Sequence, residues 1–197
     1  MDEKSNVSPY KIRDARPDDA ADITRLLQYI GKYHSDMRPD IFIENPQKYN
    51  EAIVRDMIEN SYKCSDERSD KQSDKRGENI ILCAFRDTST LPDAGASSDA
   101  EIDNKKVVGY AICKIRHTQK DALFRERRTL FVEDFCVDPS LQRSGVGRAL
   151  IEEVKHRAIS AGCNNIELNV WECNRGAVLF YEACGFTTQR RIMELLL

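Results

Sequence analysis

The segment LQRSGVGRAL, Leu141–Leu150, has two glycines one residue apart, a preceding arginine and no obvious nucleophile. It lies between an apolar run and a stretch with helical periodicity, which predicts a loop followed by a helix start. Glycines at such a junction let backbone amides converge, and the partial positive charge of the helix N-terminus adds to them. The segment is therefore a candidate anion cradle, in which a bare backbone lets a phosphate approach the amides closely.

The glycine pair by itself does not specify a nucleotide-binding motif. A Walker A loop requires Gly-Lys followed by serine or threonine, which is absent here, and a Rossmann fingerprint requires glycine where Leu150 stands. A tight turn that happens to contain glycine is the alternative interpretation of Gly145 and Gly147.

The cysteines and histidines do not form a metal-binding pattern. The chain has seven cysteines and three histidines, but no two cysteines form Cys-x-x-Cys and no histidine has zinc-ligand spacing to them. Most of the cysteines lie in apolar patterns, where a free thiol behaves as a small hydrophobic group. We predict a reduced, cytoplasmic protein without structural metal.

Composition and hydropathy argue against several other classes of protein. A net charge of -3 without a basic stripe argues against nucleic acid as the main partner. No apolar run approaches the ~20 residues of a membrane span, and the first residues lack the pattern of a signal peptide. The length of 197 residues fits a single domain over 1–197.

The elements that must position the loop alternate between strand and helix patterns. In the first half the patterns predict a strand at Tyr10–Ala15 and a helix with apolar residues at 23, 26, 27 and 30. They also predict a second helix at about Pro46–Ile58, with Tyr49, Ile53, Val54 and Met57 facing inward, and hairpin strands at Asn79–Phe85 and Lys106–His117. Two polar segments, at about 64–78 and 87–105, have little to bury, and we predict flexible insertions there.

The second half is more regular. The patterns predict a strand at Leu130–Val137, a helix from Val146 ending before Gly162, a strand at Asn165–Trp171, a helix at Arg175–Ala183, and a last segment, 186–197, that closes the sheet. A strand, helix and strand of these lengths predict a parallel pair with a right-handed crossover. The order of elements indicates a mixed α/β fold.

Three ordered motifs carry a resemblance to a known family. QRSGVG, Gln142–Gly147, fits a Gln/Arg-x-x-Gly-x-Gly/Ala signature, VEDFCVDPSLQRSGVG resembles a central strand and its loop, and NVWECNRGAVLFYEACGF resembles a second signature. Over residues 130–186 the chain resembles the GCN5-related N-acetyltransferase (GNAT) family, and the residues of these motifs look most similar to the diamine acetyltransferase branch. The resemblance implies a mostly antiparallel central sheet of six or seven strands with a splayed parallel pair and about four flanking helices.

The resemblance also implies acetyl-CoA as co-substrate and assigns the residues that contact it. Backbone amides of Gln142, Ser144, Gly145, Val146 and Gly147 would surround the pyrophosphate, and Arg143 and Arg148 would add charge. The strand residues Phe135, Cys136 and Val137 would pair with the pantetheine arm like an added strand, and Asn174 would touch the cofactor near the splayed strands.

Acetyl transfer to nitrogen requires the neutral amine, whereas a lysine-like amine with a pKa of ~10.4 is almost entirely protonated at pH 7. A base therefore assists, and the resemblance places it at Glu133, with Asp134 or a water relay as alternatives. The alternative for Glu133 is a solvated or salt-bridged strand glutamate, with Arg128 as a candidate partner, and alternation places it on the face opposite Asp134. Tyr181 would donate a proton to the CoA thiolate; core packing is its alternative.

The acceptor side is expected from the segment YHSDMRPDIF, residues 33–42, with Trp171 either shaping it or lying in the core. A covalent route through Cys136 is disfavoured, because apolar neighbours raise a thiol pKa. We predict an N-acetyltransferase that acts on a primary amine, small molecule or peptide, in a ternary complex. The alternatives are a protein N-terminal or lysine acetyltransferase and a non-catalytic CoA-binding sensor; a homodimer through Leu195–Leu197 is left open.

Overall fold

The computed structural model describes residues 9–44, 49–66, 79–86 and 106–196. Within these ranges the chain forms five strands and four α-helices. In chain order they are β1 (Tyr10–Asp14), α1 (Ala20–Met37), α2 (Glu51–Asp66), β2 (Asn79–Arg86), β3 (Val107–Thr118), β4 (Arg127–Val137), α3 (Val146–Ser160), β5 (Asn165–Leu168) and α4 (Arg175–Ala183). Short 3-10 turns precede α1 at Pro17–Asp19 and follow β4 at Pro139–Leu141.

The strands form one mixed sheet in the order β1-β2-β3-β4-β5. The first four strands pair antiparallel, and β4 pairs with β5 in parallel. The crossover between that pair is α3, so the predicted strand–helix–strand unit and the mixed α/β class are confirmed. The expected number of strands is slightly too high, because the described residues supply five and not six or seven.

Helices cover both faces of the sheet. On one face, α1 and α2 bury Ile23, Leu26, Val54 and Ile58 against β2 and β3. On the other, α3 buries a stripe of residues against β3 and β4, namely Val146, Leu150, Val154 and Ala158. The prediction for α2 is wrong at Ile53, which is exposed, because Val54 and Ile58 define the buried side of that helix.

The C-terminal segment differs from the prediction. Residues 186–196 contain no strand, so the sheet as described ends at β5 and the segment does not close it. The predicted insertion at 87–105 and most of the one at 64–78 lie outside the described residues, whereas residues 64–66 form the last turn of α2. Among the described helices, none combines the length and apolarity needed to cross a membrane.

Candidate active site

The loop that connects β4 to α3 has an unusual backbone conformation. Gly145 is the N-cap residue of α3 and has a φ of 99°. Two residues earlier, Arg143 has a φ of 64°, which makes it the one described non-glycine residue with positive φ. Left-handed backbone at a residue with a Cβ is sterically disfavoured, so it persists only where the surroundings impose it.

Several amides at this helix start have no partner. In the described part of the chain, the N–H groups of Gly145, Val146 and Gly147 donate to no acceptor. The amides of Gln142 and Ser144 differ, because they make long bonds of 3.5 Å and 3.4 Å to carbonyls within the turn. Three adjacent unpaired donors at a helix N-terminus form a site that favours an anion. The unpaired amides of these three residues therefore fit the predicted anion cradle better than those of Gln142 and Ser144.

Packing also explains why residue 147 is a glycine. A Cβ built on Gly147 would lie 3.0 Å from Cζ of Phe180 and 3.7 Å from Cγ2 of Val137. Glycine therefore allows α4 to approach the start of α3, a reason that the sequence did not reveal. Gly109 has a similar role in β3, where a Cβ would meet the carbonyl oxygen of Cys136 and the Val146 side chain at 3.1 Å each. A glycine inside a strand pattern is the signal that would have identified it.

The two parallel strands separate beside this loop. Their pairing runs from Thr129 with Asn165 to Val132 with Leu168 and then ends, although β4 continues to Val137. Residues 133–137 thus have a described strand neighbour on the β3 side alone. This stretch contains Phe135, Cys136 and Val137, the residues expected to pair with an extended ligand.

Aromatic side chains of α4 lie next to the opening. The Phe135 ring is 5.8 Å from the Phe180 ring and 6.1 Å from the Tyr181 ring, measured between centroids. The Phe186 ring lies 5.7 Å from the Tyr181 ring in a T-shaped arrangement. Burial, together with the charge of Asp134, raises the pKa of Tyr181, so the phenol stays protonated at neutral pH. No described group hydrogen-bonds its hydroxyl, which is therefore available to a ligand.

A bulge in β4 changes the arrangement of the two carboxylates. Asp134 is opposite Ile112 and Val132 is opposite Cys113, so Glu133 is the extra residue between them. The Tyr110 hydroxyl donates to Oδ1 of Asp134 at 2.7 Å, and Arg116 lies 3.6 Å from Oε1 of Glu133.

Tyr110 and Arg116 are six residues apart on β3, so they share one face of the sheet. Both carboxylates therefore lie on the α1 side, and the expectation that they oppose each other is wrong. The ion-pair partner of Glu133 is Arg116 and not Arg128.

Two other predicted residues have restricted roles. Cys136 is buried, and burial together with Asp134 and Asp138 raises the pKa of its thiol to about 12. A thiol with that pKa is almost entirely protonated at neutral pH and is a poor nucleophile.

Asn174 is the N-cap of α4, where its Oδ1 accepts a hydrogen bond from the amide of Ala177 at 3.1 Å. Its side chain thus has a structural role at the helix start, and a contact with the cofactor stays a prediction.

The segment after α1 forms an aromatic wall beside Asp134. The Phe42 ring lies 5.3 Å from the His34 ring in a tilted arrangement and 5.4 Å from the Trp171 ring in a T-shaped one, measured between centroids. Arg38 lies over the Trp171 ring at 5.6 Å and pairs with Asp40 and with Glu194 near the end of the chain. Burial lowers the pKa of His34, only partly opposed by the charge of Asp134.

Trp171 lies after the end of β5 and is 37% exposed, so the alternative that it belongs to a core strand is wrong. Arg143 and Arg148 are also exposed. The described residues contain no cluster of three or more potential metal ligands.

The chain is similar to known acetyltransferases in sequence and in fold. It is 23% identical over 176 residues to the thialysine N-epsilon-acetyltransferase of Mus musculus, covering 89% of this chain and 82% of that protein. It is 32% identical over 107 residues to the aminoglycoside N(6')-acetyltransferase type 1 of Stenotrophomonas maltophilia, covering 54% and 69% of the two chains. The structure of a tetramutant of the BH1408 protein from Bacillus halodurans superposes with a TM-score of 0.72 over 95% of this chain and 99% of that one, at 24% identity, which shows the fold alone.

The family model adds the decisive match, because it extends beyond the segment that carries the three motifs. The model of the Acetyltransferase (GNAT) family matches residues 54–186, from α2 through α4. The chain therefore belongs to the GNAT family and is an N-acetyltransferase.

Proposed function

We propose that this protein transfers the acetyl group of acetyl-CoA to a primary amine by direct attack in a ternary complex. The observation that carries the proposal is the position of the unpaired amides of Gly145, Val146 and Gly147 beside the divergence of β4 from β5. The amides fit a diphosphate, and the open edge of β4 fits the extended arm that follows it. Arg143 and Arg148 are exposed next to the amides and add positive charge.

The chemistry needs a base that takes a proton from the amine and a group that stabilises the departing sulfur. The amine nitrogen attacks the thioester carbonyl carbon, the C–S bond breaks, and the sulfur leaves as thiolate. Glu133 is the proposed base, which takes the ammonium proton directly or through water; its side chain is 40% exposed and therefore accessible to water. Asp134 is the alternative, supported by its hydrogen bond from Tyr110 and its charge effect on both Tyr181 and His34.

Tyr181 is the proposed donor to the thiolate. Its raised pKa keeps the proton on the phenol, which can therefore donate a hydrogen bond to the sulfur. Because an ordinary thiol has a pKa of ~8.5, full transfer from this phenol is uphill. The phenol therefore acts mainly by hydrogen-bonding the leaving sulfur, where negative charge develops.

The acceptor class that we propose is a small molecule with an aliphatic amino group, as in the diamine acetyltransferase branch. The thialysine and aminoglycoside relatives, by their names, act on amino groups of small molecules, which supports this choice. The aromatic wall of His34, Phe42 and Trp171 next to Asp134 supplies apolar contacts for an aliphatic chain and a negative charge for an ammonium.

The test mixes purified protein with acetyl-CoA and an acceptor panel, and follows thiol release and product mass. The panel contains lysine, thialysine, diamines, an aminoglycoside and peptides with free N-termini. Because Cys173 is exposed and thus accessible to thiol reagents, each assay needs a blank without acceptor.

Turnover with small amines is expected. Turnover with peptides alone contradicts the small-amine proposal in favour of protein acetylation. CoA binding without turnover on any acceptor leaves only the alternative of a non-catalytic CoA-binding sensor.

We also propose that the protein is a homodimer. The C-terminal side chains Ile192, Met193, Leu195 and Leu196 are at least 75% exposed, and exposed apolar groups that lie together indicate an interaction surface. Light scattering after size-exclusion chromatography tests this, and a monomer at assay concentration contradicts it. The cytoplasmic location expected from the sequence stays a prediction.

A further inference from the structure

A tyrosine of β1 contacts the middle of the loop that precedes α3. Tyr10 is 8% exposed, and its hydroxyl donates to Oγ of Ser144 at 2.8 Å. Ser144 in turn donates its hydroxyl proton to the carbonyl of Leu141 at 2.6 Å. A serine hydroxyl has one donor and two acceptor positions, so both bonds are compatible. The Tyr10 hydroxyl therefore supports a bond that spans the turn from 141 to 144.

An arginine of α1 contacts the start of the same loop. Arg25 Nη1 lies 2.9 Å from Oδ2 of Asp138, and Nη2 donates to the carbonyl of Val107 at 3.3 Å. The other carboxylate oxygen of Asp138 accepts the amide and the hydroxyl of Ser140, at 3.1 Å and 2.7 Å. Arg25 thus fixes the carboxylate that caps the first turn of the loop and ties it to β3.

These two contacts bracket the strained part of the backbone. Arg143, with its φ of 64°, lies between Asp138 and Ser144 in the chain, directly before the Ser144 contact. The unpaired amides of Gly145, Val146 and Gly147 follow directly after Ser144. A left-handed conformation at arginine reverts to an ordinary one unless its neighbours are held. The direction of the amides therefore depends on what holds both sides of Arg143.

We propose that Tyr10 and Arg25 are positioning residues for acetyl-CoA: they hold the segment 138–145 in the conformation that directs its amides at the diphosphate. The inference rests on the proposed function. Both residues precede residue 54, where the match to the family model begins. The N-terminal segment is thus part of the cofactor site through support of the loop, without contact with the cofactor itself.

The first experiment is Tyr10→Phe, which removes one oxygen and keeps the buried ring. Loss of one neutral hydrogen bond predicts a dissociation constant for CoA, by calorimetry, raised about three- to ten-fold. At saturating acetyl-CoA, kcat stays near wild type while KM for acetyl-CoA rises. Thr24→Val is the matched control: it removes a buried hydroxyl whose bond, 2.7 Å to the Ala20 carbonyl, stays within its own helix. It should leave CoA affinity unchanged.

A double-mutant cycle with Ser144→Ala separates positioning from general destabilisation. If Tyr10 acts through Ser144, Tyr10→Phe has almost no further effect on CoA affinity when Ser144 is already alanine. Equal effects in both backgrounds overturn the inference for Tyr10, as does wild-type affinity in the single variant.

The second experiment is Arg25→Gln, with Arg55→Gln as control. Arg55 pairs with Glu51 on the surface of α2 and makes no contact with the loop. Arg25→Gln should weaken CoA binding about ten-fold, because a hydrogen-bonded charge pair is lost, and Arg25→Lys should restore part of it. Unchanged affinity in Arg25→Gln overturns the role of Arg25. Failure of the wild-type protein to bind CoA is a different result, which refutes the proposed function itself.

Discussion

Replacing Gly145 by alanine separates the backbone requirement of the loop from its space requirement. A Cβ at this position would meet no atom within 4 Å, so a steric clash does not contribute. The φ of 99° is the obstacle, because left-handed backbone costs a residue with a Cβ about 1–2 kcal/mol. For a protein of this size about 1 kcal/mol corresponds to roughly 2–4 °C in Tm. We therefore expect Tm to fall by about 2–8 °C.

The same substitution should also weaken CoA binding. Alanine relieves its strain by rotating toward ordinary φ, which turns the amides of residues 145–147 away from a common point. Loss of one hydrogen bond to a charged phosphate costs about 1.5–3 kcal/mol, so the dissociation constant measured by calorimetry should rise at least about ten-fold.

Gly162→Ala is the matched control for this experiment. Gly162 follows the C-terminal end of the same helix, has a φ of 67° and likewise offers open space, since a Cβ placed there would meet no atom within 4 Å. The Tm of the Gly162→Ala variant should therefore fall by a similar amount, while its CoA affinity stays at the wild-type value. If both variants weaken CoA binding equally, the effect is one of general stability and the cradle is refuted. If Gly145→Ala keeps full affinity, the anion does not bind at these amides.

Three further predictions concern catalysis and pH. Tyr181→Phe should lower kcat at least about ten-fold while CoA affinity changes little, and a wild-type rate removes the phenol from the mechanism. Glu133→Gln should lower kcat at pH 7 more than Asp134→Asn does, about 100-fold if Glu133 is the base; the reverse order assigns the base to Asp134. Burial on its own raises the pKa of Asp19, but hydrogen bonds from Arg13 and the Arg16 amide outweigh it and hold the pKa below 3.8. The ion pair thus stabilises the fold above pH 3.8 and is lost as pH falls through the lower, folded-state pKa. Asp19→Asn should cost about 2 kcal/mol in urea unfolding at neutral pH, shrinking below about pH 4; a pH-independent loss contradicts this.

The parts of the fold that follow from local patterns are predictable from the sequence. The helix Arg175–Ala183 has the bounds that its pattern predicts, and α3 begins at Val146 and is followed by the left-handed Gly162 as its pattern indicates. The favourable spacing of Glu153 and Arg157 corresponds to an ion pair at 2.6 Å. Such features are set by residues within a few positions of each other, so one sequence carries the information.

The features that depend on long-range packing are not predictable in this way. The bulge at Glu133 has no distinctive residue type, since it arises from the register between β3 and β4. The bond from Tyr10 to Ser144 joins residues 134 positions apart, and neither residue differs from an ordinary strand or turn residue. The apolar residues of the C-terminal segment suit a strand of the sheet, yet the large apolar side chains between Ile192 and Leu196 are exposed.

Helix α1 links the two halves of the proposed site. Arg25, near its start, contacts the carboxylate that caps the cofactor loop. His34, in its last turn, lies in the aromatic wall near Asp134, and Arg38 follows directly after the helix. Nine residues of helix separate Arg25 from His34, a rise of about 14 Å. Because a helix of this length moves as a unit, a displacement of α1 changes the cofactor loop and the acceptor wall together. Substitutions that loosen its packing at Ile23 or Leu26 should therefore raise KM for both substrates, whereas Tyr181 on α4 affects the departing thiolate alone.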